Sequence, residues 1–319
     1  MQNIWEKISN QLYKSYGLHA DEIIRMTTGV GGDTFLVQAS EGKYIYKIAD
    51  VNTMNHPETE PEICDFLRKQ DVPVSIFIKN KEDKWVTDCE DNRVSHVQEF
   101  VEGKTFAMNM APEWFMKEAP VLLGKVHNKL QEYKELPAGI GEGFFMYMTP
   151  ENAKVSYQRS YENAKQVGEE DILSELEYRL KVVSKFAGKK FDLDKLTFRN
   201  THGDYTVNQI ICGEDKIHAV IDWTCACKHP VIWEITRSFF LASPACANGF
   251  SEEKFRDYVE GYLSVAPLTR YDKDNLLQLY LYQLAVCDYY AQYLEAEEYK
   301  KEEYLSQARF ATNVLRTML

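Results

Sequence analysis

Apolar residues at helical spacing open the chain. In MQNIWEKISNQLYKSYGL, Ile4, Ile8 and Leu12 recur among charged residues, which predicts a surface helix and not a signal peptide. The pattern then turns to alternation. Residues 23–49, IIRMTTGVGGDTFLVQASEGKYIYKIA, read as strand, glycine-bearing turn, strand, tight turn at Glu41-Gly42 and strand, an antiparallel start. A short helix carrying Ile63, Phe66 and Leu67 follows and stops before Pro73. Two strand-like stretches come next, VSIFIKNKEDKWVTD with a charged turn and SHVQEFVEG at 95–103. After Gly103 helical periodicity prevails: APEWFMKEAPVLLGKVHNKLQEY sets Val121, Leu122, Val126 and Leu130 along one long helix. The charge-rich YLEAEEYKKEEYLSQARFATNVLRTML reads as a terminal solvated helix. The expectation is an α+β chain of two lobes: a small antiparallel-sheet lobe with one helix at 1–101 and a larger, mainly helical lobe at 102–319, joined near 99–103.

A length of 319 residues suits two lobes sharing a cleft, since single cores stop growing near this size. The excess of 49 Asp and Glu over 37 Lys and Arg, a formal charge of −12, argues against nonspecific nucleic-acid binding. It favours a cationic small substrate where the charge lies at the cleft, although solubility is the plainer account of most of it. No apolar run is long enough to span a membrane, so no membrane partner is expected. Seven cysteines, an odd number, imply a reducing compartment and hence the cytoplasm. Cys225 and Cys227 have no second pair at zinc spacing and read as buried small residues.

Candidate chemistry concentrates in THGDYTVNQI, residues 201–210. The runs QIIC and KIHAVID, separated by a turn containing Gly213, predict a hairpin. Pairing Cys212 with Lys216 sets Asn208 opposite Val220, so that Asn208 and Asp222 emerge side by side at the open end. Asp204 enters the same space from the preceding loop. One carboxylate to handle a substrate hydroxyl proton, with an amide and a second carboxylate as hard oxygen ligands, suits a magnesium ion that keeps other ligands from water and phosphate. His202 reads as a structural imidazole that orients the loop. The plainer account makes Asp204 and Asn208 turn-formers and Asp222 a strand end. Upstream, KYIYKIA alternates as a strand, and an inward Lys47 is costly to bury without an anionic partner.

HGDYTVN followed by VIDW resembles the aminoglycoside phosphotransferase and choline kinase family, relatives of the protein kinases, with matches in order along nearly the whole chain. The resemblance implies a protein-kinase-like bilobal fold and an enzyme that uses magnesium and ATP or GTP to phosphorylate a hydroxyl of a small molecule. By the same resemblance Asp204 is the catalytic base, Asn208 and Asp222 bind magnesium, and Lys47 contacts the α- and β-phosphates. Lys47 is expected to pair with Glu60 on the next helix, with Glu62 as competitor. The loop TGVGGDT departs from the kinase glycine pattern, yet Gly29, Gly31 and Gly32 allow close approach of backbone amides to phosphates. HVQEFVEG resembles the interlobe linker, where backbone of Glu99 and Val101 meets the adenine edge. LLGKVHNKL resembles a family helix whose His127 is structural, and Glu234 stands where an aspartate commonly supports the catalytic loop.

For the acceptor, QLYLYQLAVCDYYAQYLEAEEY mixes aromatic and acidic residues that could hold an amine, with Asp288 and Tyr289 the candidates; the same spacing also describes packing with a solvated face. The acceptor implied is amine-bearing, of aminoglycoside, choline or homoserine type. Two rival readings stand beside the kinase: a catalytically silent kinase-like binding or spore-coat-type protein, and a metal-dependent phosphohydrolase in which Lys47 has no role.

Overall fold

In the computed structural model, which describes residues 4–26, 33–50, 57–90, 92–246 and 249–319, the amino-terminal alternation forms one antiparallel sheet. Helix α1 (Ile4–Tyr16) precedes β1 (Ala20–Arg25), β2 (Asp33–Ala39) and β3 (Gly42–Asp50). Helix α2 (Thr59–Arg68) then leads to the short β4 (Phe77–Ile78) and β5 (Thr87–Asp88) and to β6 (Arg93–Glu99). The strand order is β1-β2-β3-β6-β4, with β5 also on β6. Gly29, Gly31 and Gly32 lie outside the described residues.

Side chains on a strand alternate between faces, and β3 uses both. Tyr46 and Ile48 join Phe35, Val37, Val97 and the α1 residues Ile8 and Leu12 in a small core. Lys47, set between Tyr46 and Ile48, therefore points to the other face. It lies directly across from His96 in the β3–β6 register, so the two side chains share that face. Pro61 sits in the first turn of α2, where its missing N–H leaves no bond unmade. Ile63, Cys64 and Leu67 of α2 pack into the large core of the second lobe.

That second lobe contains α3 (Glu113–Lys129), α4 (Glu142–Tyr147), α5 (Pro150–Val167), α6 (Leu173–Ser184), β7 (Phe198–Thr201), β8 (Ile210–Cys212), β9 (Ile217–Val220) and β10 (Cys227–Pro230). Helices α7 (Val231–Ala242), α8 (Glu252–Leu263), α9 (Arg270–Val286), α10 (Tyr289–Glu295) and α11 (Glu298–Met318) complete it. The expected single solvated helix at the carboxyl end is instead two, broken at Ala296. One face of α11 is buried through Ala308, Ala311, Val314 and Leu315, because α9 and α6 supply an apolar surface to cover it.

Two backbone seams tie the lobes. The Val220 N–H donates to Pro73 O at 3.0 Å, and Lys104 exchanges both backbone bonds with Cys212 at 2.9 Å. The second seam corrects the expected hairpin register. Because Cys212 pairs outward with Lys104, the hairpin bulges between Ile211 and Cys212, and Ile210, not Asn208, lies opposite Val220. No helix among the described residues is long and apolar enough to cross a membrane.

Candidate active site

The corrected register brings Asn208 and Asp222 closer to alignment than the sequence arithmetic did. Counting from Ile210 opposite Val220, and with the Ile221 N–H donating to Gln209 O at 2.9 Å, Asn208 falls directly opposite Asp222. Asp222 takes up the left-handed backbone region, φ 61° and ψ 68°, which is strained for a residue with a Cβ. The loop that carries Asp204 is fixed from two sides. His202 donates through Nε2 to Ile221 O at 2.9 Å, one residue before Asp222, and accepts the Asp204 N–H on Nδ1 at 3.2 Å. Gly203 has φ 79°, and a Cβ there would stand 1.9 Å from Cys225 O, so only glycine lets the two loops close on each other.

Lys47 reaches this hairpin from the sheet. Its Nζ lies 3.4 Å from Asp222 Oδ1, with the lysine side chain 17% exposed. Burial works against its charge, but the carboxylates of Glu60 and Asp222 outweigh burial and raise its pKa. Asp222 is pulled the other way: burial is opposed by Lys47 and by the Thr224 hydroxyl, 2.7 Å away, and its pKa falls.

Glu60 stands near Lys47 without closing the direct pair that the resemblance implied. Its Oε1 accepts the Trp223 N–H at 3.2 Å, while its buried Oε2 has no partner among the described residues. Burial raises its pKa more than Lys47 lowers it. Glu62 turns away altogether and pairs with Lys134 at 2.6 Å. The linker keeps its backbone partly open: Glu99 N–H bonds to Ile76 O and Phe100 N–H to Lys43 O, whereas the Val101 N–H has no backbone acceptor among the described residues.

On the opposite wall, Glu234 is wholly buried. Its Oε2 accepts from His127 Nε2 at 2.8 Å and from the His202 N–H at 3.3 Å, and His127 continues to the Tyr262 hydroxyl. Burial alone would raise the Glu234 pKa; the His127 hydrogen bond and nearby imidazoles hold it down to about 2. Glu234 thus touches the backbone of the Asp204 loop directly.

Two residues outside the sequence reading, Arg237 and Gln209, belong here, and a third, Cys225, is placed differently from expectation. Arg237, one turn after Glu234 on α7, sets Nη1 2.6 Å from Asp204 Oδ1, and Gln209 Nε2 donates to Asp204 Oδ2 at 3.2 Å. The i, i+3 spacing from Glu234 was the signal that could have revealed Arg237. Cys225 is exposed and not buried as expected, because it follows the Asp222 turn on the open side. Burial and then the neighbouring carboxylates of Asp204 and Asp222 raise its pKa, and it also acts on Lys47, so this thiol lies within electrostatic reach of all three.

Asp288 and Tyr289 are arranged differently from expectation. The stripe is divided between α9 and α10 at Cys287, and Asp288 caps α10 by accepting the Ala291 N–H. Its other oxygen accepts from Ser156 and Ser160, each at 2.8 Å. Tyr280, Tyr282, Tyr290 and Tyr293 of the aromatic stripe are core residues. Tyr289 accepts from Gln283 Nε2 at 2.7 Å and lies near Arg237.

With hard oxygens from Asn208, just before β8, and Asp222, just after β9, at the open end of the hairpin, the donor set fits a partly hydrated magnesium ion. Among the described residues no cluster of three His, Cys, Asp or Glu forms a separate metal site.

The model of the phosphotransferase enzyme family, APH, matches residues 22–268. No curated protein is significantly similar. Solved structures that are alike over 98% of this chain include the amicoumacin kinase hAmiN in complex with AMP-PNP, Ca2+ and Ami, at 11% identity, TM-score 0.69 and 93% of that chain. The AMP-bound complex of spectinomycin phosphotransferase APH(9)-Ia matches at 16% identity, TM-score 0.67 and 97% of that chain. The microcompartment-associated aminopropanol kinase matches at 15% identity, TM-score 0.62 and 96% of that chain. At these identities the likeness is one of fold, a sheet lobe above a helical lobe as in protein-kinase-like phosphotransferases.

Proposed function

This chain belongs to the phosphotransferase enzyme family and is a phosphotransferase of the small-molecule, hydroxyl-accepting class; from that premise we propose that it moves the γ-phosphoryl group of ATP or GTP to an acceptor hydroxyl in the cleft between residues 1–101 and 102–319. The observation that carries this reading is the meeting of Lys47 from the sheet with Asp222 from the hairpin, beside Asp204.

Asp204 accepts the hydroxyl proton as the acceptor oxygen bonds to the γ-phosphorus. The bond from that phosphorus to the bridging oxygen breaks, and ADP or GDP leaves. Lys47 holds the phosphates, with Glu60 as its electrostatic support, while Glu99 and Val101 offer backbone groups to the base. Asn208 and Asp222 would hold magnesium, which neutralises phosphate charge when bound. The unpartnered Glu60 oxygen and the Asp222–Lys47 contact suit a site that rearranges as nucleotide enters. Seven free thiols accord with a reducing, cytoplasmic setting. The amine-bearing acceptor expected from Asp288 has weaker support, since both of its carboxylate oxygens are engaged inside the protein.

A silent binding protein would have no use for a charged, partly desolvated constellation spanning both lobes. The test is thermal stabilisation by magnesium with ATP or GTP, followed by acceptor-dependent nucleotide diphosphate release. Stabilisation by nucleotide at saturating concentration raises the melting temperature through mass action. A melting curve indifferent to both nucleotides would remove the kinase reading.

A further inference from the structure

Resting on the assignment of Asp204 to the acceptor hydroxyl, we infer that Arg237 is the anchor for a carboxylate on the acceptor, so that the substrate is a small hydroxy acid and not an amino alcohol.

The guanidinium is held on a prepared platform. Arg237 Cζ lies 5.5 Å from the centre of the Trp233 ring, and its side chain is 22% exposed. Trp233 is itself fixed, donating from Nε1 to Gln283 Oε1 at 3.3 Å and packing on His229 with ring centres 4.6 Å apart. The edge of the guanidinium is under-used. Its one ion pair is with Asp204, and the nitrogen making it, Nη1, is buried without a hydrogen bond of acceptable geometry. No other nitrogen of Arg237 finds a partner among the described residues, although a guanidinium carries five N–H donors. The nitrogens that Asp204 leaves open lie on the partly exposed side of the guanidinium, and a carboxylate is the ligand that meets two such donors side by side.

Asp204 does not require Arg237 for its orientation. Gln209 holds Oδ2, and His202 holds the Asp204 N–H. The arginine therefore does more for an incoming group than for the loop. A substrate carboxylate that draws the guanidinium toward itself leaves Asp204 Oδ1 free for the hydroxyl proton, so binding of the anion and release of the base are one event. An ammonium at the same place meets a like charge, and Asp288, the acid expected to hold an amine, is engaged by Ser156, Ser160 and the α10 cap.

The test compares glycerate, glyceramide and aminopropanediol, together with hydroxybutyrate, its amide and the matching amino alcohol, on protein saturated with magnesium and nucleotide. Nucleotide diphosphate release and added thermal stabilisation are both read. The expected result is a kcat/KM for the carboxylates higher by on the order of tenfold or more than for amide and ammonium partners. Arg237→Met should erase that order, and Arg237→Lys, a point charge without the fork, should keep part of it. Retained stabilisation by nucleotide identifies a variant that is folded. An ammonium preference in the native protein, a flat response to the whole panel, or an unchanged carboxylate preference in Arg237→Met overturns the inference while leaving the kinase reading intact. Absence of nucleotide stabilisation in the native protein strikes at the kinase reading and takes this inference with it.

Discussion

Two buried glutamates, Glu60 on α2 and Glu234 on α7, support the two loops of the site, and burial has opposite outcomes for them. Glu60 and Glu234 each accept one backbone N–H next to the site, from Trp223 and from His202, and each leaves one oxygen without a partner. Glu234 also receives a direct hydrogen bond from the His127 ring and is held ionised, its pKa down to about 2. Glu60 has Lys47 only at longer range, and burial raises its pKa. A hydrogen bond in contact compensates desolvation where a charge beyond contact does not. The loop bearing Asp204 is thereby set in place before any ligand arrives, whereas the Lys47 wall retains an incompletely neutralised acid.

If that contrast holds, the largest effect belongs to the preset wall. Asp204→Ala should lower turnover by about 10²–10⁴-fold, the usual contribution of a general base, while stabilisation by magnesium-nucleotide persists. Asp222→Ala should show the reverse emphasis, with nucleotide stabilisation lost. Equal nucleotide shifts in both variants would erase the division of labour.

Next in size is Glu234→Ala, which leaves the His202 N–H and the His127 ring without their acceptor. A loss of about 3–5 kcal/mol in unfolding free energy is expected, read by denaturant titration. Glu234 also predicts an acid limb. Its folded pKa lies below its unfolded value, near 4.3, so its contribution is complete above that value and drains away as pH falls toward about 2. Glu234→Gln should flatten this limb, and a limb of unchanged depth would show that other carboxylates produce it.

The smallest effect comes from Glu60. Its folded pKa is raised, so the charged form burdens the folded state above that pKa and the burden lifts as pH falls. Glu60→Gln keeps the acceptor for Trp223 N–H and removes the charge. A small rise in melting temperature without nucleotide, together with weaker nucleotide stabilisation, is expected; a lower melting temperature would mean that Lys47 already compensates the acid.

Much of the site was legible because it is built from local regularities. Alternation in KYIYKIA turned Lys47 away from the Tyr46 and Ile48 core, and two apolar runs about Gly213 announced the β8–β9 hairpin. The hairpin register was not legible, because Lys104 from outside the hairpin captures Cys212 and forces the bulge. Arg237 escaped notice because a lone arginine on an apolar helix looks like a surface residue until its partner, 33 positions earlier, is brought beside it. Asp288 misled for the same reason: an acid amid aromatics reads as a cation pocket until Ser156 and Ser160 from α5 are docked against it.

What the chain order determines unaided is the set of elements and the spacing of polar groups at their ends, because dihedral preferences and the two- and 3.6-residue periods act within a few residues. Which acid keeps its charge, which cation faces Asp204 and which carboxylate is free for a ligand depend on the docking of the sheet on α2 and of α7 against the loop. Those contacts join residues 30 to 180 positions apart, and the desolvation that sets their charge exists only once the lobes have closed on each other.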